Sequence, residues 1–369
     1  MRRWSTEAMM TRCDIAIVGA GMAGASLAAT IGMRANMVLL EAEDRPGYHT
    51  TGRSAAFWTE SYGGPGIQPL TTASGPTLRD LGMLTSRAAL TLGTETQAED
   101  IDAFAARFAS LGVEVEVLGR EGLLEYVPGL RPAWTLGVLE PSCCDIAVAG
   151  LHQHYLAASR KAGVELRCRA RLVRAQREAS GWRLGLEDGT ELVCDVLVNA
   201  AGAWADPVAE LAGVRPLGIT PFRRTVAQLD VEPAVPADLP LVLDIGETFY
   251  FKPDAGRLWL SPHDETPSVP CDAAPEELDV AIAIERFENV VDWRIRRLDH
   301  RWAGLRSFAP DRLPVFGFDS RDPRFFWCAG QGGFGIQTAP AAADLAARLL
   351  IGDAPGEVDP APFLPTRFG

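Results

Sequence analysis

Lysine is nearly missing from this chain of 369 residues. Lys161 and Lys252 stand alone, and arginine supplies the rest of the 35 basic side chains. Schiff-base chemistry therefore has few candidates. Cys-x-x-Cys is absent too, and the 7 cysteines are odd in number: Cys13, Cys143, Cys144, Cys168, Cys194, Cys271 and Cys328. That usage suits a reducing compartment better than a disulfide scaffold, so a cytoplasmic protein is expected. The adjacent Cys143 and Cys144 read as buried thiols. Histidine occurs 5 times without ligand spacing. His152 and His154 are two apart, which puts them on different faces of a helix, and no metal site is expected. No run of 18 apolar residues occurs, so no transmembrane helix is expected. Positive charge is short overall. A formal net charge of −13 argues against nucleic acid and anionic membranes as partners.

Hydrophobic residues make up 47% of the chain, enough for a globular fold, and the length allows two domains with proper cores. Arg2-Arg3 hints at a twin-arginine signal, but no apolar stretch follows before the first strand. Residues 1–10 are expected to be a disordered tail.

The most informative segment is Asp14-Ile-Ala-Ile-Val-Gly-Ala-Gly-Met-Ala-Gly24, followed by an alanine-rich stretch and Val38-Leu-Leu-Glu41. It reads as strand, glycine turn, helix, and second strand ending in an acid. Gly19 permits the tight turn. Gly21 lets backbone approach a pyrophosphate, with Met22 and Ala23 opening the helix, and Gly24 lets helix pack on strand. The helix start offers free N–H groups and the positive dipole end to phosphate. Glu41 suits an adenosine ribose and repels a 2′-phosphate, which argues against NADP.

Two further segments repeat this logic. Val196-Leu-Val-Asn-Ala-Ala-Gly-Ala-Trp204 is a buried strand running into small residues, after a hairpin turning at Asp188-Gly189. Phe325-Phe-Trp-Cys328 is a strand, Gln331-Gly-Gly-Phe-Gly-Ile-Gln-Thr338 a glycine turn, and Ala341–Leu350 a helix. Helices are also predicted over Ala98–Leu111 and His152–Ala162, with a short strand over Val164–Leu166. Short strands are predicted at 216–229, 239–244, 248–252 and 257–261, with a hairpin turn at Pro253–Gly256. The expected fold is α/β. A Rossmann-like cofactor domain is assembled from 11–80, 145–215 and 301–369. A second α+β domain with a mostly antiparallel sheet, for substrate, comes from 81–144 and 216–300.

These motifs give a resemblance. With Trp302-Ala-Gly-Leu-Arg306, they resemble the D-amino acid oxidase superfamily of FAD-dependent amine oxidoreductases. Pro46-Gly-Tyr-His-Thr-Thr-Gly-Arg-Ser-Ala-Ala56, Gly213-Val-Arg-Pro-Leu-Gly218, Phe249-Tyr-x-Lys-Pro-Asp-Ala-Gly256 and Gln331–Thr338 are most similar to its D-arginine dehydrogenase group. The resemblance covers nearly all of Thr11–Leu350. It implies noncovalent FAD, held by Gly19, Gly21, Met22, Ala23, Gly24 and Glu41, then Arg53, Ser54 and Ala55, then Ala201, Gly202 and Trp204. Gly332, Gly333, Phe334, Gly335, Ile336 and Gln337 complete that set. It also implies a substrate end with Arg224, Arg306, Tyr62 and Tyr250, in which Tyr250 and Arg306 hold a carboxylate and Tyr62 rides a mobile loop. Gly333 and Gln337 lie beside substrate, and Thr59 lines the pocket. A histidine of the arginine enzymes falls at Phe57, and the acid that pairs with the substrate guanidinium falls at Ala89. Leu241 and Leu243 surround the same place.

Oxidising an α-amino acid removes a hydride from Cα to flavin N5, and water then converts the imino acid to a 2-oxo acid and ammonia. Planar guanidinium groups suit rigid carboxylate binding. The resemblance alone implies that the substrate is a D-amino acid, and Phe57, Ala89, Leu241 and Leu243 point to an apolar side chain. The alternatives to this reading are a glycine, sarcosine or imino acid oxidase, a flavin-dependent 2-hydroxy acid dehydrogenase, and a flavin-binding assembly or regulatory protein without turnover. The electron acceptor, oxygen or a quinone, stays open. Arg224 neighbours Arg223, and one of the two is expected to face solvent. His49 has no matched catalytic role, and no residue is an obvious base.

Overall fold

The computed structural model describes residues 11–369, and the expected tail at 1–10 lies outside the described residues. The apolar strand Thr11–Val18 lies between two parallel neighbours, Met37–Leu40 and Glu191–Asn199. Glu165–Arg167 extends this parallel array beyond Met37–Leu40, and Phe325–Ala329 continues it beside Leu197–Asn199. Antiparallel hairpins, Leu172–Leu186 and Val315–Ala329, finish an eight-stranded sheet. Strands buried on both faces need continuous apolar runs. Ile15, Ala16, Ile17, Leu39, Leu197 and Val198 meet that need, each at most 6% exposed. Helices Met22–Ile31 and Ala339–Ile351 pack on one side.

The second sheet has ten strands and is antiparallel except where Leu241–Asp244 runs parallel to Ala89–Thr94. Its spine is a long ribbon of Thr220–Glu232 against Arg294–Phe308. One face buries Leu90, Leu229, Phe251 and Leu260 in a core of its own, partly under Phe287 and the rest of helix Glu277–Glu288. The other face looks toward the glycine turns. A small third sheet, Phe57–Trp58 with Cys144–Ile146 and Leu84–Ser86, sits between the two. The fold class is thus α/β, with a Rossmann-like sheet and a mostly antiparallel one. We propose that the two sheets mark two domains divided as the sequence suggests. Two strands cross the suggested boundaries: Arg294–Phe308 spans 300/301, and Cys144–Ile146 spans 144/145.

Several elements differ from the sequence reading. The hairpin turn is Ala255-Gly256, both at positive φ, while Pro253 and Asp254 belong to the strand Tyr250–Asp254. Two consecutive positive φ values match the right-handed twist of the flanking strands. Helix Gln68–Asp80 carries Pro76 inside it. No helix among the described residues is long and apolar enough to cross a membrane.

Candidate functional site

A cavity of about 420 Å³ runs between the sheets from Glu41 and the first glycine turn to Tyr250 and Arg306. Its first end is made of backbone. Gly19 turns at φ +102°, and a Cβ there would lie 2.4 Å from the Ala200 carbonyl oxygen. A Cβ on Gly24 would lie 2.0 Å from the Gly19 oxygen, so helix and strand touch there and Gly24 stays off the cavity wall. Gly21 is different. A Cβ on it would meet only the Thr51 hydroxyl, at 3.3 Å, and Gly21 faces the cavity beside Met22 and Ala23. Thr51 accepts the Met22 N–H at 3.0 Å, at the start of the helix. Glu41 lines the same end. It accepts from the Ala20 N–H at 3.2 Å and the Glu43 N–H at 3.0 Å, one on each oxygen, which leaves each oxygen a further lone pair.

Ala201, Gly202 and Trp204 form the next stretch of wall, with Arg53, Ser54 and Ala55 opposite. Arg53 is tied across to the second sheet. It donates to the carbonyls of Ala273 at 2.8 Å and Ala303 at 3.2 Å and pairs with Asp272. The His49 ring packs at a tilt on Trp204, with centroids 4.7 Å apart, and bonds Glu43 through Nε2 at 3.0 Å, and its buried Nδ1 has no partner. His152 bonds the Ala20 carbonyl at 2.8 Å, and burial lowers its pKa, so it serves as a neutral buttress for the first turn. The closing turn contributes Gly332, Gly333, Gly335 and Ile336 to the wall. Cys328 lies under it, and burial pushes its thiol up to about 12.

Two predicted residues of that turn are not on the wall. Phe334 packs with Ile67 and Phe308. Gln337, 3% exposed, donates to the Thr71 hydroxyl at 2.9 Å and the Tyr62 carbonyl at 3.2 Å. Helix Gln68–Asp80 takes that side chain, and it lay in a stretch whose helix the sequence reading did not predict.

The far end of the cavity is built from side chains. Arg224 lies opposite Gly304, and Arg306 opposite Phe222, so the two arginines are diagonal neighbours on one face of the ribbon. Arg223 points the other way and pairs with Asp279 at 2.9 Å and with Glu276. Arg224, 4% exposed, donates to the Asp264 carbonyl at 2.8 Å and to Glu265 at 3.2 Å, but its buried Nη1 has no partner. Burial, then the charge of Arg306, lowers its pKa. Arg306 donates to the Tyr62 hydroxyl at 2.6 Å and otherwise faces the cavity. Gly333 keeps this corner open, since a Cβ there would sit 3.0 Å from the Arg306 Nη1. Tyr250 lines the cavity beside both arginines.

His263 was not singled out in the sequence. Its ring lies 5.9 Å from that of Tyr250 and 6.5 Å from that of Tyr62, and its buried Nε2 has no partner. Burial first, then the charges of Arg224 and Arg306, push its pKa down to about 2. It is a neutral imidazole between two cations. The one signal for it is its place just after the strand Arg257–Ser261, which pairs with the Tyr250 strand.

The predicted substrate-pocket residues come together, but on each other. Phe57, Ala89 and Leu241 form a closed cluster with Ala55, Cys143 and Tyr250, flanked by Tyr62 and Leu243. Of these, only Ala55 and Tyr250 are on the cavity wall. Thr59 is turned away altogether, donating at 2.6 Å to buried Glu140. Glu60 accepts from Thr72 and Ser142 and does not reach the cavity. Among the described residues no group of three or more His, Cys, Asp or Glu could hold a metal.

The fold and the cavity are those of a dinucleotide-binding protein, with a cationic far end formed by Arg224 and Arg306. Residues 14–349 match the FAD dependent oxidoreductase family (DAO), and the chain belongs to that family. It is 29% identical over 276 residues to hydrogen cyanide synthase subunit HcnC of Pseudomonas aeruginosa, covering 71% of this chain and 62% of that protein. The chain thus spans less than two thirds of the length of that relative. Glycine oxidase from Geobacillus kaustophilus superposes with TM-score 0.85 at 23% identity, covering 97% of this chain and 99% of the other. L-Proline dehydrogenase from P. horikoshii gives TM-score 0.86 at 17% identity, over 98% of each chain. These structures share the fold. The family-level resemblance read from the motifs is therefore met.

FAD is the cofactor of the family, and the residues present fit it. Gly21 leaves open the approach that a Cβ would narrow, Glu41 retains acceptor capacity, and one cavity joins them to the arginines.

Proposed function

We propose that this chain oxidises a carboxylate-bearing amine, in the first place a D-amino acid with an apolar side chain, to its imino acid. Water then releases the 2-oxo acid and ammonia. The observation that carries this reading is the pair Arg224 and Arg306 on one face of the ribbon, at the end of the cavity. Two neighbouring guanidinium groups, one with a free buried N–H, call for an anion between them.

When bound, noncovalently by this reading, FAD supplies the two-electron oxidant for the Cα–H. The chain does the rest. Arg306 and Arg224 hold the carboxylate, Tyr62 fixes the Arg306 fork, and Tyr250 closes the side of the site. Phe57, Tyr62 and Phe334, with ring centroids 5.2 and 5.3 Å apart in sequence, exclude water. Cys328 is the cysteine on the wall, and as a protonated thiol it is a poor nucleophile for attachment.

The resemblance to the D-arginine dehydrogenase group extends, on this reading, to the carboxylate clamp but not to the side chain. Ala89 carries no charge and Glu60 is engaged elsewhere. A buried guanidinium without its partner costs about 3–5 kcal/mol. The closed packing of Phe57, Ala89 and Leu241 favours a second reading, a small amine such as glycine or sarcosine.

Anaerobic bleaching of the visible flavin band tests these readings. D-Leucine, D-methionine or D-phenylalanine should exceed D-arginine in kcat/KM by at least about tenfold. Glycine or sarcosine ranking first would establish the second reading. D-Arginine ranking first, or no bleaching by any of these amines, would overturn the first.

A further inference from the structure

The segment that brings Tyr62 onto Arg306 is held from the second sheet. Glu140 ends the strand Trp134–Glu140 and is 2% exposed. Its Oε2 accepts from the Thr59 hydroxyl at 2.6 Å, from the Ser61 hydroxyl, and from the Ser61 N–H at 3.3 Å. Its Oε1 accepts from the Glu60 N–H at 2.7 Å and the Ser142 hydroxyl at 3.4 Å. Three consecutive residues, 59 to 61, converge on one carboxylate, and Tyr62 is next. Beyond it, Gly63 and Gly64 take φ of 95° and 78°. The segment thus has a gripped stem, and two glycines in the left-handed region turn the chain just beyond Tyr62.

A carboxylate is an expensive way to pack a loop. Burial raises the Glu140 pKa, and the Ser61, Thr59 and Glu60 donors only pull it back. An apolar side chain would fill the space at less cost. What the carboxylate adds is direction, because several hydrogen bonds to one group fix an approach where apolar contacts do not.

We propose that Glu140 is a positioning residue for the oxidation. By gripping 59–61 it sets the Tyr62 hydroxyl against the Arg306 guanidinium and so aims that guanidinium at the substrate carboxylate. The proposal rests on the reading of Arg306 as the carboxylate holder.

The test uses the full FAD-loaded chain as wild type, Glu140→Ala, Glu140→Gln, Tyr62→Phe and the Glu140→Ala/Tyr62→Phe double variant. Hydrogen exchange is followed at residues 60–62. Kinetics are taken with whichever of D-leucine, glycine and sarcosine reduces the flavin fastest. Glu140→Ala should speed exchange by at least about tenfold, the equivalent of one charge-assisted hydrogen bond. It should raise KM more than it lowers kcat. Glu140→Gln should restore most of both. Its amide oxygen still accepts from the Glu60 N–H, and its NH2 donates to the Thr59 and Ser61 hydroxyl oxygens. The double variant should be no worse than the poorer single one, since both changes break the same link.

Additive losses in an active enzyme, or unchanged exchange, overturn this proposal alone. A wild type inactive on all three amines overturns the functional reading and this proposal with it. If Glu140→Ala does not fold, Thr59→Val with Ser61→Ala removes two of the donors from the loop side and should show the same KM rise and faster exchange.

Discussion

The two ends of the cavity are built by opposite means. At the Glu41 end, backbone and glycine make the surface, and side chains such as Thr51 and His152 only brace it. At the Arg306 end, side chains from separate strands make the surface, and Arg224 and His263 keep buried nitrogens without partners. The first end asks less of a ligand: Glu41 keeps spare acceptor capacity, and the His49 Nδ1 nearby is buried without a partner. The second holds cations that a ligand must satisfy. A backbone-built site tolerates little variation, because the atoms in contact cannot be exchanged. A side-chain-built site on the same sheets admits different substrates.

The largest effect that sharpens this contrast lies at the glycines. Gly24→Ala places a Cβ 2.0 Å from a backbone oxygen, and backbone cannot move aside cheaply. It should cost about 3 kcal/mol, the upper end for an overpacked site, and yield little folded, yellow protein. Gly21→Ala meets only a hydroxyl at 3.3 Å, so it should fold with near-normal circular dichroism but retain less FAD. Equal damage from both would mean that Gly21 is also a packing glycine.

Next in size is Arg306→Ala. Removing one partner of a desolvated charge pair costs about 2–5 kcal/mol, or roughly 30- to several thousand-fold in kcat/KM on a carboxylate substrate. The absorbance ratio of flavin to protein should stay that of wild type. Loss of flavin instead would break the separation of the two ends.

How much of this was legible in the sequence follows from the same contrast. The first end is local: Gly19, Gly21, Gly24 and Glu41 declare themselves by spacing, because strand, turn and helix follow one another in the chain. The arginines were reached by resemblance. Their shared face depends on the register of Thr220–Glu232 against Arg294–Phe308, a strand whose charged outer half shows no apolar alternation. Helix Gln68–Asp80 stayed hidden because Thr71, Thr72, Ser74, Gly75 and Pro76 are poor helix formers. Tertiary contacts override that propensity: Thr71 takes Gln337, and the Ser74 hydroxyl takes the Ala341 N–H at 3.1 Å. Glu140 and His263 lie in no recognisable motif. Only the folded packing reveals that each is buried.

A third prediction concerns the unmet demand for an anion. The carboxylate 2,2-dimethylpropanoate has no Cα–H and cannot be oxidised. At about a hundredfold its Kd it should stabilise the holoprotein by about 2.7 kcal/mol, read as a rise in Tm. Arg306→Ala and Arg224→Gln should each abolish most of that rise. A full rise in both variants would place the anion elsewhere.

The smallest effect is a pH dependence carried by His263. Its folded pKa is about 2, while an unfolded histidine titrates near about 6.5. Between those values the unfolded chain binds a proton that the folded chain refuses, so stability falls as pH drops below about 6.5 and is unaffected above it. His263→Asn removes the titration, and Asn tolerates the positive φ of 53° at this position. His152, lowered by burial, pushes the same way, whereas Glu140, Asp206 and Asp264, all raised by burial, gain stability on acidification. Those groups are common to both proteins and cancel in the difference. Wild type should therefore lose up to about 2 kcal/mol more than His263→Asn between pH 8 and pH 5, measured by denaturant unfolding of the holoprotein. Parallel pH profiles would show that the imidazole takes up its proton in the folded state. Burial and the two arginines together would then not be holding it neutral, and this end of the cavity would be more open to water, or less charged, than the geometry implies.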